Sequence, residues 1–240
     1  MDSSIQDISL GRPARGGAWP RRKKHSAAPI FRPIPGAGHS PRFSNEGERI
    51  LTVTNLYIKR KHGAALDEVT TFAFDKDGIS SGVACAPFRQ VLIASRPVLA
   101  DCGLKPGDLR ENVLLEDDGL YDLPSGTVVR LGQALIRLTF HCEPCKQILK
   151  LIAFDRIVHR RGVFGCFLNE GTISLGDSLV VTDQKFEPIP YAVSERIRWF
   201  LSKGKAPAAA RQLIHAIGLP PSYARAMPRL LEKFLPVARA

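Results

Sequence analysis

Thr127-Val128-Val129-Arg130-Leu131-Gly132-Gln133-Ala134-Leu135-Ile136-Arg137-Leu138-Thr139-Phe140 is two apolar runs joined by a glycine-containing pair. In the second run Ala134, Ile136, Leu138 and Phe140 fall on one face and Arg137 and Thr139 on the other, the period of two that a pleated strand imposes. The stretch predicts a β-hairpin with one face buried. Upstream, Ile50 to Ile58, Val69 to Phe74 and Arg89 to Ser95 are β-branched or aromatic runs of strand length between Gly, Asp and Pro punctuation. Downstream, Thr172 to Leu175 and Ser178 to Val181 flank Gly176-Asp177 and predict two more strands across a tight turn. Many short strands with few helical stretches between them point to a mainly β barrel or sandwich rather than a helix-wrapped parallel sheet. The one interruption is a helix expected from Cys145 to Phe154, directly after Pro144.

The 240 residues are 44% hydrophobic, enough for a sizeable core, which excludes a wholly disordered or fibrous chain. No stretch reaches the roughly 18 uninterrupted apolar residues of a membrane span. Five unevenly placed cysteines do not make a disulfide framework, so a reducing, cytoplasmic setting is expected. The run Arg21-Arg22-Lys23-Lys24 is not followed by the apolar segment of a signal peptide.

The formal charge of +11 is unevenly spread. Residues 1–45 hold eight Lys/Arg against two Asp, and residues 191–240 hold nine against two Glu, whereas residues 46–190 hold seventeen against nineteen acids. With six Pro and five Gly, residues 1–45 cannot bury enough surface to offset their ordering entropy and are expected to be a disordered leader. Three domains follow: the leader at 1–45, a β domain at 46–187 and a basic helical segment at 188–240. In the last, Val193, Ile197, Phe200 and Leu201 form one apolar stripe, which leaves Arg196, Arg198 and Lys203 on the surface. A second helix is expected from Pro207 to a C-cap at Gly218, burying Leu213, Ile214 and Ile217. A third is expected from Tyr223 to Leu235, capped by Ser222 and bent or broken at Pro228.

Two groups of residues can carry chemistry. Arg110-Glu111-Asn112 places a planar cation, a carboxylate and an amide side by side at the entry to an apolar run. The group is either a salt-bridged turn or a clamp in which Arg110 holds an oxyanion, Asn112 reads a ring edge and Glu111 orients Arg110. In His141-Cys142-Glu143-Pro144-Cys145 the C-x-x-C pair suggests a redox dithiol or half of a zinc site. Neither the context of a thioredoxin-like motif nor a second ligand pair is present. A lone thiolate at Cys145, ligating a soft or high-valent metal or carrying sulfur, is the better use, and a helix N-terminus there would lower its pKa. Phosphate loops of the GxxxxGK[ST] and GxGxxG types are absent, which removes the usual support for nucleotide hydrolysis or dinucleotide binding.

In order, Arg89-Gln90-Val91-Leu92-Ile93, Gly107 to Asn112, the Gly132-centred hairpin, Glu143-Pro144-Cys145, Arg161-Gly162-Val163 and Gly171 to Asp177 resemble the MOSC domain. This module forms the C-terminal part of molybdenum cofactor sulfurases and also occurs as small stand-alone bacterial proteins. The resemblance covers about residues 50–185. It implies a closed or partly open β-barrel and binding of the molybdenum cofactor, with a family-level association with pyridoxal phosphate. Carried over by motif, Cys145 is the metal-ligating or sulfur-carrying cysteine, Arg110 and Asn112 are the cofactor clamp with Glu111 in support, and Arg89 and Lys59 supply positive charge. An enzyme of this kind would reduce N-oxygenated substrates with a redox partner protein, or transfer sulfur. The family's Gly-Asp-x-His loop stands here as Gly78-Ile79-Ser80-Ser81-Gly82. Separately, Ala216 to Met227 is similar to the winged-helix part of alkylguanine DNA alkyltransferases, with Arg225 as the groove-entering arginine, although the nucleophile motif of those proteins is missing. The alternative to a cofactor protein is therefore a non-catalytic barrel whose basic helices bind nucleic acid or a protein.

Overall fold

A computed structural model describes residues 51–204 and 210–234. The leader expected at 1–45, the helix start at Pro207 and the helix end at Leu235 lie outside the described residues. The chain runs β1 (Leu51–Ile58), β2 (Asp67–Val69), β3 (Thr71–Asp75), β4 (Gly78–Ile79), β5 (Val91–Ser95) and α1 (Arg96–Cys102). It continues through β6 (Val113–Leu115), β7 (Thr127–Leu131), β8 (Ala134–His141), α2 (Phe154–Ile157), β9 (Val163–Phe167), β10 (Gly171–Ser174) and β11 (Ser178–Lys185). The helices α3 (Val193–Leu201), α4 (Ala210–Ala216) and α5 (Met227–Leu231) follow.

Seven strands close into a barrel in the order β1-β6-β5-β9-β8-β7-β11, with β11 returning to β1 where Leu51 meets Leu179. Closure leaves the ring no unpaired edge. Only β5 and β6 are parallel, and parallel neighbours require a crossover. Here α1 and the loop 103–112 provide it, which is why Arg110, Glu111 and Asn112 lie in a connection rather than in a strand. A separate small sheet has the order β10-β3-β4.

The predicted hairpin is present: β7 and β8 pair antiparallel with Leu131 opposite Ala134, and Gly132 takes a φ of +56° at the turn. Ala134, Ile136 and Leu138 enter the barrel core together with Val53, Ile93 and Val129, and burial of each Ile, Leu or Val side chain contributes about 1.5–3 kcal/mol. Strand β5 is buried on both sides, as its unbroken apolar sequence requires. Val91 and Ile93 face the barrel interior, Leu92 packs in an outer cluster with Phe140, Phe164 and Ile189, and Ala94 joins α1 residues Val98 and Leu99.

Several expectations need correction. Phe140 does not share the face of Ala134, because the ladder to β9 shifts register between Leu138 and His141, and the extra residue sends the Phe140 ring outward. Val69 to Phe74 is not one strand: β2 pairs with β1 in the barrel while β3 pairs with β10. The helix expected from Cys145 to Phe154 does not form. The amides of Lys150 and Leu151 bond three residues back, to Gln147 and Ile148, so the segment tightens into a 3₁₀ turn at Ile148–Lys150. The third C-terminal helix is a 3₁₀ turn, Pro221–Arg225, followed by α5 with Pro228 in its first turn, and Ser222 makes no side-chain cap. The stripe in α3 holds, with Ile197, Leu213, Ile214 and Ile217 buried together. Arg196, however, is not a surface cation; its exposure is 0%.

Candidate functional site

The candidate site is a cleft of about 360 Å³ against the outside of the barrel wall. Leu92 and Phe164, which point away from the interior, belong to its lining. Lys59 follows β1, Arg89 precedes β5, Arg110 lies in the crossover loop and Arg161 precedes β9, and all four line the cleft. No Asp or Glu does so among the described residues. Burial lowers the Lys59 pKa, and the neighbouring Arg110 and Arg161 charges lower it further. The cleft is therefore a net cationic recess, suited to an anion carrying more than one charge.

Each cation is held differently. Arg89 donates to Glu143 Oε2 at 3.0 Å and to the Gly218 carbonyl at 3.2 Å, with its guanidinium 4.0 Å from the Phe164 ring centre. Gly218 closes α4 at φ +66°, and a Cβ there would come within 3.0 Å of Phe140 and 3.2 Å of Phe88, so only glycine brings this carbonyl so close. Arg110 has φ +63°, an uncommon conformation for a non-glycine residue, and donates to the Ala64 carbonyl at 2.7 Å. Arg161, 7% exposed, donates to the Glu143 carbonyl at 2.6 Å, while its Nε is buried without a partner. A buried, unpartnered donor in such a cleft is the position a ligand acceptor would fill.

Cys145 is exposed beside this group rather than in the cleft lining. Partial burial pushes its thiol up, but the Ile148 and Gln147 amides and the Arg161 guanidinium outweigh that and hold the pKa below the ordinary thiol value. The turn supplies the N–H groups that an α-helix was expected to supply. Cys142 lines the cleft but is buried, and its pKa is pushed up to about 11, so the pair behaves as one thiolate former and one thiol. Cys85, also in the lining, has its thiol raised by burial.

Glu111 and Asn112 take roles that the sequence did not reveal. The Asn112 side chain accepts from Leu92 N–H at 3.0 Å and donates to the Tyr57 carbonyl at 3.2 Å, stapling β1 to β5 at the cleft margin. Glu111 is 0% exposed and accepts from Gly107 N–H at 2.6 Å. It makes no ion pair with Arg110 among the described residues, so its support runs through the loop backbone. Burial raises its pKa above the ordinary carboxylate value. A carboxyl with a raised native pKa contributes stability that is present at low pH and lost as the pH rises through that raised value. In Glu111→Gln this loss should vanish, which thermal melts across about pH 4 to 8 will read.

The residues missed in the sequence are Arg161, Glu143 and Arg196. The signal for Arg161 was its place before Gly162 in the quoted motif, but the adjacent Arg160 turns away to Asp101 at 2.7 Å. Arg225 is exposed and lies in the 3₁₀ turn rather than in an α-helix. No helix among the described residues is long and apolar enough to cross a membrane.

Residues 85–180 match the model of the MOSC domain. Among solved structures, the chain is similar to the YuaD protein from Bacillus subtilis, with 17% identity over 59% of this chain and 99% of that one and a TM-score of 0.50. It is also similar to YiiM from Geobacillus stearothermophilus, at 15% identity over 75% and 99% of the two chains with a TM-score of 0.49. For YiiM from Escherichia coli the values are 18%, 79%, 97% and 0.45. The first likeness supports the fold. No curated protein gives a significant sequence match.

Proposed function

We propose that this chain, whose residues 85–180 match the model of the MOSC domain, a family linked to the molybdenum cofactor, binds that cofactor in the cationic cleft with Cys145 as metal ligand or sulfur carrier. The observation that carries the reading is a cleft lined by Lys59, Arg89, Arg110 and Arg161 without a lining carboxylate, beside a cysteine whose thiol the Ile148 amide, the Arg161 guanidinium and the Gln147 amide hold below its ordinary pKa. The donor set fits the group. The cofactor is anionic through its phosphate and oxo ligands, and Lys59, Arg89, Arg110 and Arg161 offer ammonium and guanidinium donors with no lining carboxylate to repel it. A soft thiolate suits its metal, and about 360 Å³ is enough for a compact heterocycle.

The Ile148 amide, the Arg161 guanidinium and the Gln147 amide together favour the Cys145 thiolate, and Arg161 brings one of the four positive charges that line the cleft. Arg110 and Lys59 set the opposite charge, and Asn112 fixes the spacing of β1 and β5. Leu92, Phe164 and Leu219 exclude water from one flank. Bound there, the cofactor supplies the metal redox or sulfur chemistry, and the protein supplies shape, charge and one thiolate. Because Cys145 must be free, the activity belongs in a reducing compartment such as the cytoplasm; all five cysteines are unpaired.

Protein purified from molybdate-supplied cells should contain molybdenum, and Cys145→Ala should lose most of it by elemental analysis. Metal absent from both, with DNA retained in a salt-sensitive manner, would replace this reading with that of a non-catalytic barrel carrying basic helices.

A further inference from the structure

Arg196 lies in α3, outside the residues that match the family model, and it is the largest fully buried side chain of the described chain. Its guanidinium donates to the carbonyls of Pro190 at 3.0 Å, Tyr191 at 2.7 Å and Ile217 at 3.2 Å, and to Glu143 Oε1 at 3.2 Å. It also stacks 3.6 Å from the centre of the Phe140 ring. Glu143 is thereby gripped by three arginines: Arg196 on one carboxylate oxygen, Arg89 on the other, and Arg161 on its main-chain carbonyl. Two of those three line the cleft, and Cys145 is two residues away. The same C-terminal segment supplies Leu219, Pro220 and Pro221 to the cleft wall and the Gly218 carbonyl to Arg89.

We propose that Arg196 is a positioning residue for the cleft, and that the basic C-terminal helices form a working wall of the site rather than a separate binding module. Arg196 fixes Glu143, and Glu143 fixes Arg89 and the anchor of Arg161. Removing Arg196 leaves the carboxylate held by Arg89 alone and releases the Glu143-Pro144-Cys145 corner from α3. Both changes misplace the guanidinium donors that would meet an anion.

This inference rests on the cleft being an anion site, but it can be tested without the cofactor. The measurement is calorimetric binding of molybdate. In Arg196→Met molybdate binding should weaken about tenfold, the scale of one misplaced charge-assisted hydrogen bond, and Arg196→Lys, which keeps a charge beside Glu143, should recover part of the affinity. Arg198→Met, which removes an exposed cation of the same helix, should leave the affinity unchanged. Should Arg196→Met not fold, Arg196→Gln retains hydrogen-bonding capacity without the charge and should weaken binding likewise. A folded variant of either kind with wild-type molybdate affinity would overturn the proposal. Weakened molybdate binding in a protein that never acquires molybdenum in cells would retain the positioning role while removing the cofactor.

Discussion

Glu143→Ala should lower folding stability by about 3–5 kcal/mol, the cost of leaving a buried charge without its partner. The size follows from asymmetry in the pair. Arg196 has 0% side-chain exposure and Glu143 has 23%, so loss of the carboxylate strands the arginine where water cannot replace it. The ordinary remedy, release of a proton, is nearly closed to a guanidinium, although burial already lowers the Arg196 pKa. Arg89 loses its ion pair in the same step, which adds to the cost less heavily because its side chain is 17% exposed. For a chain of this length the loss corresponds to a fall in Tm of about 10 °C. The double variant Glu143→Ala with Arg196→Met should recover part of the loss, since an apolar replacement of a buried pair is often tolerated. A double-mutant cycle by urea unfolding measures the coupling. If Glu143→Ala unfolds at the wild-type urea midpoint, Arg196 is satisfied by its three carbonyls alone.

The barrel was legible because its signal is local. Alternation in β8 and the unbroken apolar run in β5 place residues on a face or between two faces without reference to the rest of the chain. Legibility ended where tertiary pairing decides. Nothing at Thr70 marks a break, yet the strand there divides between the barrel and the small sheet because its two halves meet different partners. In the segment after Cys145, Ile148 and Ile152 have helical spacing and are buried as a helix would bury them, but Leu149, Leu151 and Phe154 are exposed as well. Apolarity on every side gives no amphipathic direction, and a turn satisfies the same anchors.

For the site, residue types were readable and their partners were not. Arg89, Arg110 and Lys59 line one cleft, because each adjoins a strand end or the crossover, and Cys145 lies beside Arg161 at its edge. The amide of Asn112 reads as a ligand reader in the sequence; in the fold it also accepts from Leu92 N–H and donates to the Tyr57 carbonyl, at the lining of the cleft. Arg196 was assigned to the polar face of α3 because the helical stripe omits it. Its true partner is fifty-three positions away, a separation that no periodicity encodes.

Arg161→Met should produce the largest functional loss of any single change in the cleft that leaves Cys145 itself in place. At neutral pH the alkylation rate of Cys145 should fall about tenfold, because an adjacent cation is the charged group that favours the thiolate, and its removal leaves partial burial opposed only by the turn amides. Raising the pH should restore the rate, which distinguishes loss of thiolate from loss of access: a blocked thiol stays slow at any pH. The methionine fills similar volume but cannot donate to the Glu143 carbonyl, so that oxygen loses its 2.6 Å partner and molybdate binding falls in parallel. Arg161→Lys keeps the charge and should retain most of the low-pH reactivity while losing the forked contacts to Glu143 and Leu109. The Met and Lys variants thus separate charge from geometry. If both react like wild type across the pH range, the thiolate is stabilised by the Ile148 and Gln147 amides alone, and the cleft and the cysteine are independent features of the barrel.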